Sequence, residues 1–456
     1  MKFRSLWHLS ELSFFILDYV LMCAAVVCAL ILSPRYESNI WEVDWLRAQF
    51  CLVTLVLPLC MSLGLQLAGL QRVQLGFRAI DALVKSAIGV AVGMAVFVIA
   101  YAILQYELVG RFILGIGFVY GVSFVLFSRL IVWKMAMHNC RNIIIYGGSR
   151  AFRSLSEVLA KSKLPIVVDG YTSLLGEGGC ALGFINIGNS GLLVYCKEKS
   201  IREVVVESPA RLVAAEREVL VQCMSGGICV MDLGHFTESN LGRVDLSGLG
   251  ESWFWGYDGP WIKPGYSVVK RVAEFALSLL GLILFAPLAL IVALLIKLED
   301  GGSVFYSQIR TGQHGVPFRI FKLRTMRHGA EEGGALWASD GDARVTRIGR
   351  ILRKSRVDEV PQFWNIIKNE MSLIGPRPER PELVARVERE VPFYNCRHLI
   401  KPGLTGWAQI NYPYGASIED AREKLAFDLY YIKHASITVD SLILLRTIVA
   451  MVSGAR

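Results

Sequence analysis

From Val272 to Leu298 the chain reads VAEFALSLLGLILFAPLALIVALLIKL, an apolar run with Pro287 near its middle. Its length suits a membrane span, which needs ~20 apolar residues. Two features point instead to a segment that dips into a bilayer and returns. A proline removes an intrahelical hydrogen bond and kinks or breaks the helix. Each arm is then ~12–15 residues, about 20 Å at 1.5 Å per residue, short of the ~30 Å hydrocarbon core. Both flanks are also basic, with Lys263, Lys270 and Arg271 before the run and Lys297 and Arg310 after it. Cytoplasmic flanks carry the excess of Lys and Arg, so a run that obeys this bias at both ends begins and finishes on one side. These residues alone leave the spanning and re-entrant readings both open.

Working outward towards the N-terminus, apolar runs cover about Leu12–Leu32, Phe50–Leu70, Leu83–Leu104 and Phe112–Val132, each close to spanning length. The first is too long, and too late followed by charge, for a cleaved signal peptide. Asp18 lies inside it, and no role is assigned to it. Lys2 and Arg4, then Arg72, Arg78 and Lys85 against Asp81, then Lys134 and Arg141, mark one side as cytoplasmic. On the other side Arg35 and Arg47 are outnumbered by Glu37, Glu42 and Asp44. The expectation is a four-span bundle with both ends in the cytoplasm. Composition agrees. With 54% hydrophobic and 19% charged residues and a mean hydropathy of +0.45, a wholly soluble protein and a disordered one are both excluded. The net charge of +9 suits an anionic membrane or phosphorylated substrates, and no nucleic-acid partner is expected. The ten cysteines form no C-x-x-C pair, so buried, reduced thiols are expected rather than a disulfide framework or a zinc site.

Between about 140 and 255 the pattern turns soluble and α/β. Asn142–Tyr146, Ile166–Val168, Glu203–Val206 and Ile228–Met231 are apolar runs of strand length separated by helix-capable stretches. The first leads into Tyr146-Gly147-Gly148-Ser149-Arg150, a glycine turn at a helix start. Such a turn can bind phosphate, but without G-x-G-x-x-G spacing a structural Rossmann-like module is the favoured reading.

The motifs lie beyond Glu299. In Leu352-Arg353-Lys354-Ser355-Arg356-Val357-Asp358-Glu359-Val360-Pro361-Gln362-Phe363-Trp364-Asn365, Pro361 predicts a helix from Val360 or Pro361 to about Asn369. Asp358 and Glu359 then sit at its positive end among Arg353, Lys354 and Arg356, where a carboxylate stays ionised and a phosphate is tolerated. Ordinary helix capping explains the pair equally well on these residues alone. In Gly375-Pro376-Arg377-Pro378-Glu379 two prolines stiffen the backbone around Arg377, presenting a fork suited to phosphate. Phe318-Arg319-Ile320-Phe321-Lys322-Leu323-Arg324-Thr325-Met326 alternates as a strand, with Lys322 and Arg324 opposite Arg319, Phe321 and Leu323. Lys401-Pro402-Gly403-Leu404-Thr405-Gly406-Trp407-Ala408-Gln409-Ile410-Asn411 reads as a turn entering a short strand, and Asp428 follows in an aromatic stretch. Carboxylates without His or Cys at ligand spacing suggest only a hard, oxygen-bound cation such as Mg²⁺.

These motifs, in this order over some 190 residues from about Lys263, give a chain that resembles the bacterial sugar transferase family, the monotopic phosphoglycosyl transferases acting on polyprenyl phosphate. The N-terminal part resembles the longer members in architecture only. The resemblance implies a membrane protein in four parts. These are a transmembrane helical bundle (1–139), an α/β Rossmann-like module (140–262), a re-entrant membrane helix broken at Pro287 (263–300), and a mixed α/β cytoplasmic catalytic domain (301–456). It implies attack by Asp358 on the β-phosphorus of a UDP-sugar, release of UMP, and passage of the phospho-sugar to undecaprenyl phosphate. That reaction would initiate an exopolysaccharide, capsule or O-antigen repeat unit at the bacterial inner membrane. Glu359 becomes the Mg²⁺ ligand, and Lys322, Arg353, Arg377 and Asp428 match polar positions lining the family's site. Two positions depart from the pattern. Ala286 stands where the family often has serine before the proline, and Pro413 stands where several small members carry an arginine. Homodimerisation is a further expectation.

Two rival readings belong to other classes. A membrane-bound nucleotide-sugar dehydratase or epimerase would use Tyr266-x-x-x-Lys270, but no glycine fingerprint precedes it, so the spacing is taken as chance. A membrane sensor or scaffold would leave the motifs after Glu299 without a purpose.

Overall fold

In the computed structural model the described residues are 11–32, 44–67, 79–103, 111–137, 141–162, 164–172, 183–185, 191–246, 249, 264–327, 344–413, 415 and 417–453. Lys2, Arg4, Arg35, Glu37, Glu42, Arg72, Arg78 and Lys263, used above for orientation, lie outside them. The chain forms two compact units, Met1–Gly248 and Leu249–Arg456.

The first unit opens with α1 (Glu11–Ile31), α2 (Asp44–Leu67), α3 (Ala79–Ile103) and α4 (Arg111–Met137). They pack around Met22, Leu57, Met61, Phe97 and Val125, all buried. Asp18 finds a partner in Arg129 of α4, whose Nη2 donates to both carboxylate oxygens at 2.7 and 2.6 Å inside the helix cluster. Among the described residues of these four helices, Leu114–Ile131 is long and apolar enough to cross a membrane. The apolar stretches Phe15–Ala29, Thr54–Leu65 and Lys85–Ile99 are shorter.

A parallel sheet follows: β1 (Arg141–Tyr146), α5 (Ser149–Ser162), β2 (Ile166–Thr172), α6 (Leu192–Glu198), β3 (Glu203–Val206), α7 (Ala214–Ser225), β4 (Cys229–Asp232) and α8 (Leu233–Leu241), with strand order β2-β1-β3-β4. Strands buried on both faces read as continuous apolar runs. That is why Ile143–Ile145 and Val204–Val206, all buried, mark the centre of the sheet. The Gly147–Gly148 turn at the start of α5 is occupied from within. The Gly148 N–H donates to Glu207 Oε2 at 2.7 Å, and a Cβ at Gly147 would lie 2.5 Å from the Glu207 Cβ.

The second unit starts with α9 (Pro264–Asp300) and continues through β5 (Phe305–Thr311), β6 (Pro317–Leu323), α10 (Arg347–Ser355), α11 (Gln362–Ile367), β7 (Ser372–Ile374), α12 (Pro381–Glu388), β8 (Gly403–Thr405), α13 (Trp407–Asn411), α14 (Ile418–His434) and α15 (Ile437–Ser453). β5 and β6 form an antiparallel hairpin, and β7 pairs in parallel with β8. The strand expected over 401–411 is the three residues of β8, after which the chain turns helical.

The break expected at Pro287 is not an interruption of secondary structure, because α9 continues through it. Proline's fixed φ is itself helical, so one missing N–H removes one bond without ending the helix. α9 meets the rest of the unit along both arms. The Phe363 ring of α11 lies where a Cβ on Gly281 would come within 2.7 Å of it, so glycine is required for the approach. Val292 and Ile296 pack with Leu323 and Leu352. The remaining surface of α9 exposes Val268, Ile283, Leu284, Leu290 and Leu298, and Gly265–Glu299 is long and apolar enough to cross a membrane. An apolar surface this continuous needs a partner or a lipid environment.

Candidate active site around Asp358 and Glu359

Two backbone features shape the acidic pair. α10 ends at Arg356, which adopts the left-handed conformation at φ 58°. A non-glycine residue held there costs of order 1–3 kcal/mol. The chain then makes one 3₁₀ turn, Val357–Glu359, and α11 begins at Gln362 after Pro361, which has no N–H to give to a helical ladder. The helix expected to reach Asn369 stops at Ile367, with Asn369 itself left-handed at φ 69°. Asp358 and Glu359 are thereby turned inward, 7% and 8% exposed.

Cations gather on one oxygen. Glu359 Oε1 accepts from Lys322 Nζ of β6 at 3.0 Å and from Arg377 Nη2 of the loop after β7 at 3.1 Å, and Arg356 Nη1 stands at 3.9 Å. The fold thus joins Lys322, Glu359 and Arg377, which the sequence reading singled out separately. Burial alone would push the Glu359 carboxyl up, but Lys322, Arg377 and Arg356 outweigh it and hold it well below the usual carboxylate range. Burial in turn lowers the Lys322 ammonium, opposed by Glu359.

Asp358 is treated differently. Burial first, and the neighbouring Glu359 charge second, push it up to about 6, against the pull of Lys322, Arg356 and Arg353. Its Oδ1 is buried without a hydrogen-bond partner, and so is Nε2 of the buried Gln362 one turn later. Native interiors leave few such groups unpaired. With its carboxyl pushed up to about 6, Asp358 is mostly ionised at neutral pH.

Arg353, on the last turn of α10, donates from Nε to Thr325 Oγ1 at 2.9 Å and reaches Asp358 only through its charge. Asp428 of α14, 1% exposed, pairs with Arg397 Nη2 at 2.8 Å rather than with the acidic turn. Its link to the site is indirect, since Arg397 also donates to the Arg377 carbonyl at 3.1 Å and to the Tyr394 hydroxyl at 2.6 Å. The sequence reading missed Arg397, whose only signal was a cation flanked by Tyr394 and His398. It also missed Asn365, the second polar residue of the short α11. Asn365 is fully buried and stitches α11 to β6. It accepts from the Phe321 N–H at 3.2 Å and donates to the Arg319 carbonyl at 2.8 Å and to Glu370 at 2.7 Å. Beside Pro413, the Asn411 side chain accepts from Arg446 Nη1 at 3.1 Å.

Among the described residues no three His, Cys, Asp or Glu stand together as a metal cage. Two adjacent carboxylates, one with a buried unpaired oxygen, fit a hard cation that takes most of its ligands from phosphate oxygens and water.

The profile described as bacterial sugar transferase matches residues 265–454. The chain is 43% identical over 235 residues to a UDP-N-acetylgalactosamine-undecaprenyl-phosphate N-acetylgalactosaminephosphotransferase of Aeromonas hydrophila, covering 52% of this chain and 55% of that protein. It is 41% identical over 198 residues to a UDP-glucose:undecaprenyl-phosphate glucose-1-phosphate transferase of Caulobacter vibrioides, covering 43% of this chain and 74% of that one. An exopolysaccharide production protein of Rhizobium leguminosarum is 39% identical over 189 residues, with 40% of this chain covering 94% of that protein. The chain therefore spans little more than half the length of the Aeromonas relative.

Proposed function

The chain belongs to the bacterial sugar transferase family, and on that premise we propose that it moves a sugar-1-phosphate from a UDP-sugar to undecaprenyl phosphate and releases UMP. The observation that carries this reading is the asymmetry of the acidic pair: Glu359 is clamped by cations, while Asp358 keeps a buried oxygen unpaired. A carboxylate so placed is a nucleophile rather than a structural cap. Asp358 attacks the β-phosphorus, the bond to the UMP oxygen breaks, and an acyl phosphate of the sugar forms. A phosphate oxygen of the lipid then attacks the same phosphorus and the carboxylate leaves, so one difficult transfer becomes two easier ones.

Lys322 and Arg377 hold the incoming phosphates by charge-assisted bonds, at a site where little beyond positioning and charge is required. Arg353 adds positive potential, and Asp428 acts through Arg397. Glu359 would hold Mg²⁺, which when bound supplies charge that offsets repulsion between phosphates and the anionic pair. The exposed apolar surface of α9 supports a location at the cytoplasmic membrane with the acidic pair on the cytoplasmic side, where the lipid phosphate lies. Re-entry at Pro287, four spans in the first unit, a Rossmann-like role for the parallel sheet, and homodimerisation are parts of the same proposal. A light-scattering mass equal to one chain in detergent would remove the dimer.

The relatives' names differ in the sugar, so the direct test is a panel of UDP-glucose, UDP-galactose and their N-acetylated counterparts with undecaprenyl phosphate. Lipid-dependent UMP release from one of them is expected. NAD(H)-dependent sugar conversion without UMP release would indicate a dehydratase instead.

A further inference from the structure

The Tyr266-x-x-x-Lys270 spacing, dismissed as chance in the sequence, is put to use by the fold. Tyr266, Lys270 and Glu274 lie four residues apart on one face of the first turns of α9. Lys270 Nζ spends its donors on acceptors from three other elements: the Tyr431 hydroxyl of α14 at 2.6 Å, the Ile374 carbonyl of β7 at 3.1 Å and Asp440 Oδ2 of α15 at 3.1 Å. Asp440 is itself saturated, accepting from the Tyr266 and Tyr431 hydroxyls at 2.7 Å each. Glu274 accepts from the Leu373 N–H at 3.1 Å and from the Ser372 hydroxyl. One face of α9 therefore grips all of β7, and the ammonium at its centre is fully bonded.

The strand so gripped leads directly to the phosphate arginine. Ile374 is followed by Gly375, Pro376 and Arg377, and three polar backbone groups of this exit are bonded to other segments. The Gly375 N–H donates to the Thr405 carbonyl at 2.9 Å, the Pro376 carbonyl accepts from Gly403 at 2.8 Å, and the Arg377 carbonyl accepts from Arg397. At Ile374 this path is tied to α9 twice, through its carbonyl to Lys270 and through its backbone N–H to Glu274. The neighbouring Arg271 donates to the Ile366 and Ile367 carbonyls at 2.6 and 2.9 Å, tying the end of α11, which follows the acidic turn, to the same helix.

We propose that Lys270 is a positioning residue for sugar-phosphate transfer: fixed by Asp440 and Tyr431, it holds the Ile374 carbonyl and so sets the reach of the Arg377 guanidinium to Glu359 and the donor's phosphates. The inference rests on the transferase reading for its activity readout. Its specific consequence is that Lys270 acts through Arg377, which a residue that merely stabilises the fold does not.

The test is a double-mutant cycle in the full chain, purified in detergent, with Lys270→Met, Arg377→Gln and the pair. Asp440→Asn replaces Lys270→Met if that variant does not fold, since it loosens the ammonium without leaving a buried carboxylate unpaired. A displaced phosphate ligand costs about tenfold to a hundredfold in kcat/KM for UMP release, and Lys270→Met is expected to show that loss in the parent. In the Arg377→Gln background its effect should shrink to less than about threefold, because coupled residues are not additive. An equal fold-loss in both backgrounds overturns the proposal. The same proteins are titrated with UDP. If the parent releases no UMP yet UDP affinity shows the same non-additivity, the transferase reading fails and the positioning role stands. If UDP affinity is insensitive to Lys270, or falls equally in both backgrounds, the positioning role fails.

Discussion

The molecule contains two places that read in sequence as anion sites, and the fold treats them in opposite ways. At Gly147–Gly148 the turn at the start of α5 has the glycines of a phosphate cradle, yet both N–H groups go to the chain's own acceptors, Gly147 to the Thr172 carbonyl and Gly148 to Glu207. At Asp358–Glu359 the acids look like an ordinary helix cap, yet Glu359 has drawn Lys322 and Arg377 to itself while Asp358 Oδ1 has been left buried and unpaired. A turn whose donors are internally satisfied has nothing left to offer a ligand. A buried group without a partner does, because the cost of its desolvation is recovered only when something binds.

The contrast breaks first at Asp358. Asp358→Asn should lower UMP release by at least about 10³-fold, as loss of a nucleophile does, and near-parent turnover in that variant would return the pair to a capping role. Arg377→Gln removes one charge-assisted bond, worth about 1.5–3 kcal/mol. Steady-state kinetics should accordingly show a tenfold to hundredfold loss in kcat/KM. The pH profile sharpens the picture. With Asp358 pushed up to about 6, the attacking carboxylate is lost to protonation as pH falls through that value. From pH 7 to pH 5 the rate should fall about tenfold, and a flat profile across that range would contradict the assignment.

Much of this was legible before the fold. Glu203–Val206 is a strand with the ends its apolar run suggests, and Lys322, Glu359 and Arg377 were singled out by local pattern and meet in space. Side chains joined across long sequence separations were not legible. Arg397 and Asp428 are 31 positions apart, Asn365 and Phe321 44, and Lys270 and Ile374 104. Periodicity describes which face a residue occupies, not which distant element packs there. Asp428 and Arg353 came from the family resemblance rather than from local pattern; the structure pairs them with Arg397 and Thr325, and the Arg353 charge also acts on Asp358. Pro287 shows a different gap, since proline's local rule names the lost hydrogen bond but not whether the surrounding packing keeps the helix continuous.

Stability separates the two regions in sign. A folded-state value near 6 against an ordinary 3.8 means that the fold favours protonated Asp358. Its contribution is fully present below the ordinary value and is lost as pH rises through about 6. Asp358→Asn should therefore raise thermal stability at pH 7, by an amount on the order of 3 kcal/mol, and the gap to the parent should close near pH 4. A less stable variant at pH 7 would mean that Asp358 is a structural acid after all. Glu207→Gln should do the reverse at the smallest scale. Its bond to an exposed turn is worth under about 1 kcal/mol, and UMP release should stay within twofold of the parent. A large loss of transfer would make the α/β module part of the reaction.

The central claim is that Asp358 itself carries the phospho-sugar between donor and lipid. Purified protein incubated with its UDP-sugar and no lipid acceptor, then read by intact-mass and peptide mass spectrometry, should gain one sugar-phosphate on the peptide containing Asp358, and added undecaprenyl phosphate should remove it. An unmodified protein in the same interval, with UMP released only when lipid is present, would mean direct displacement and would contradict it.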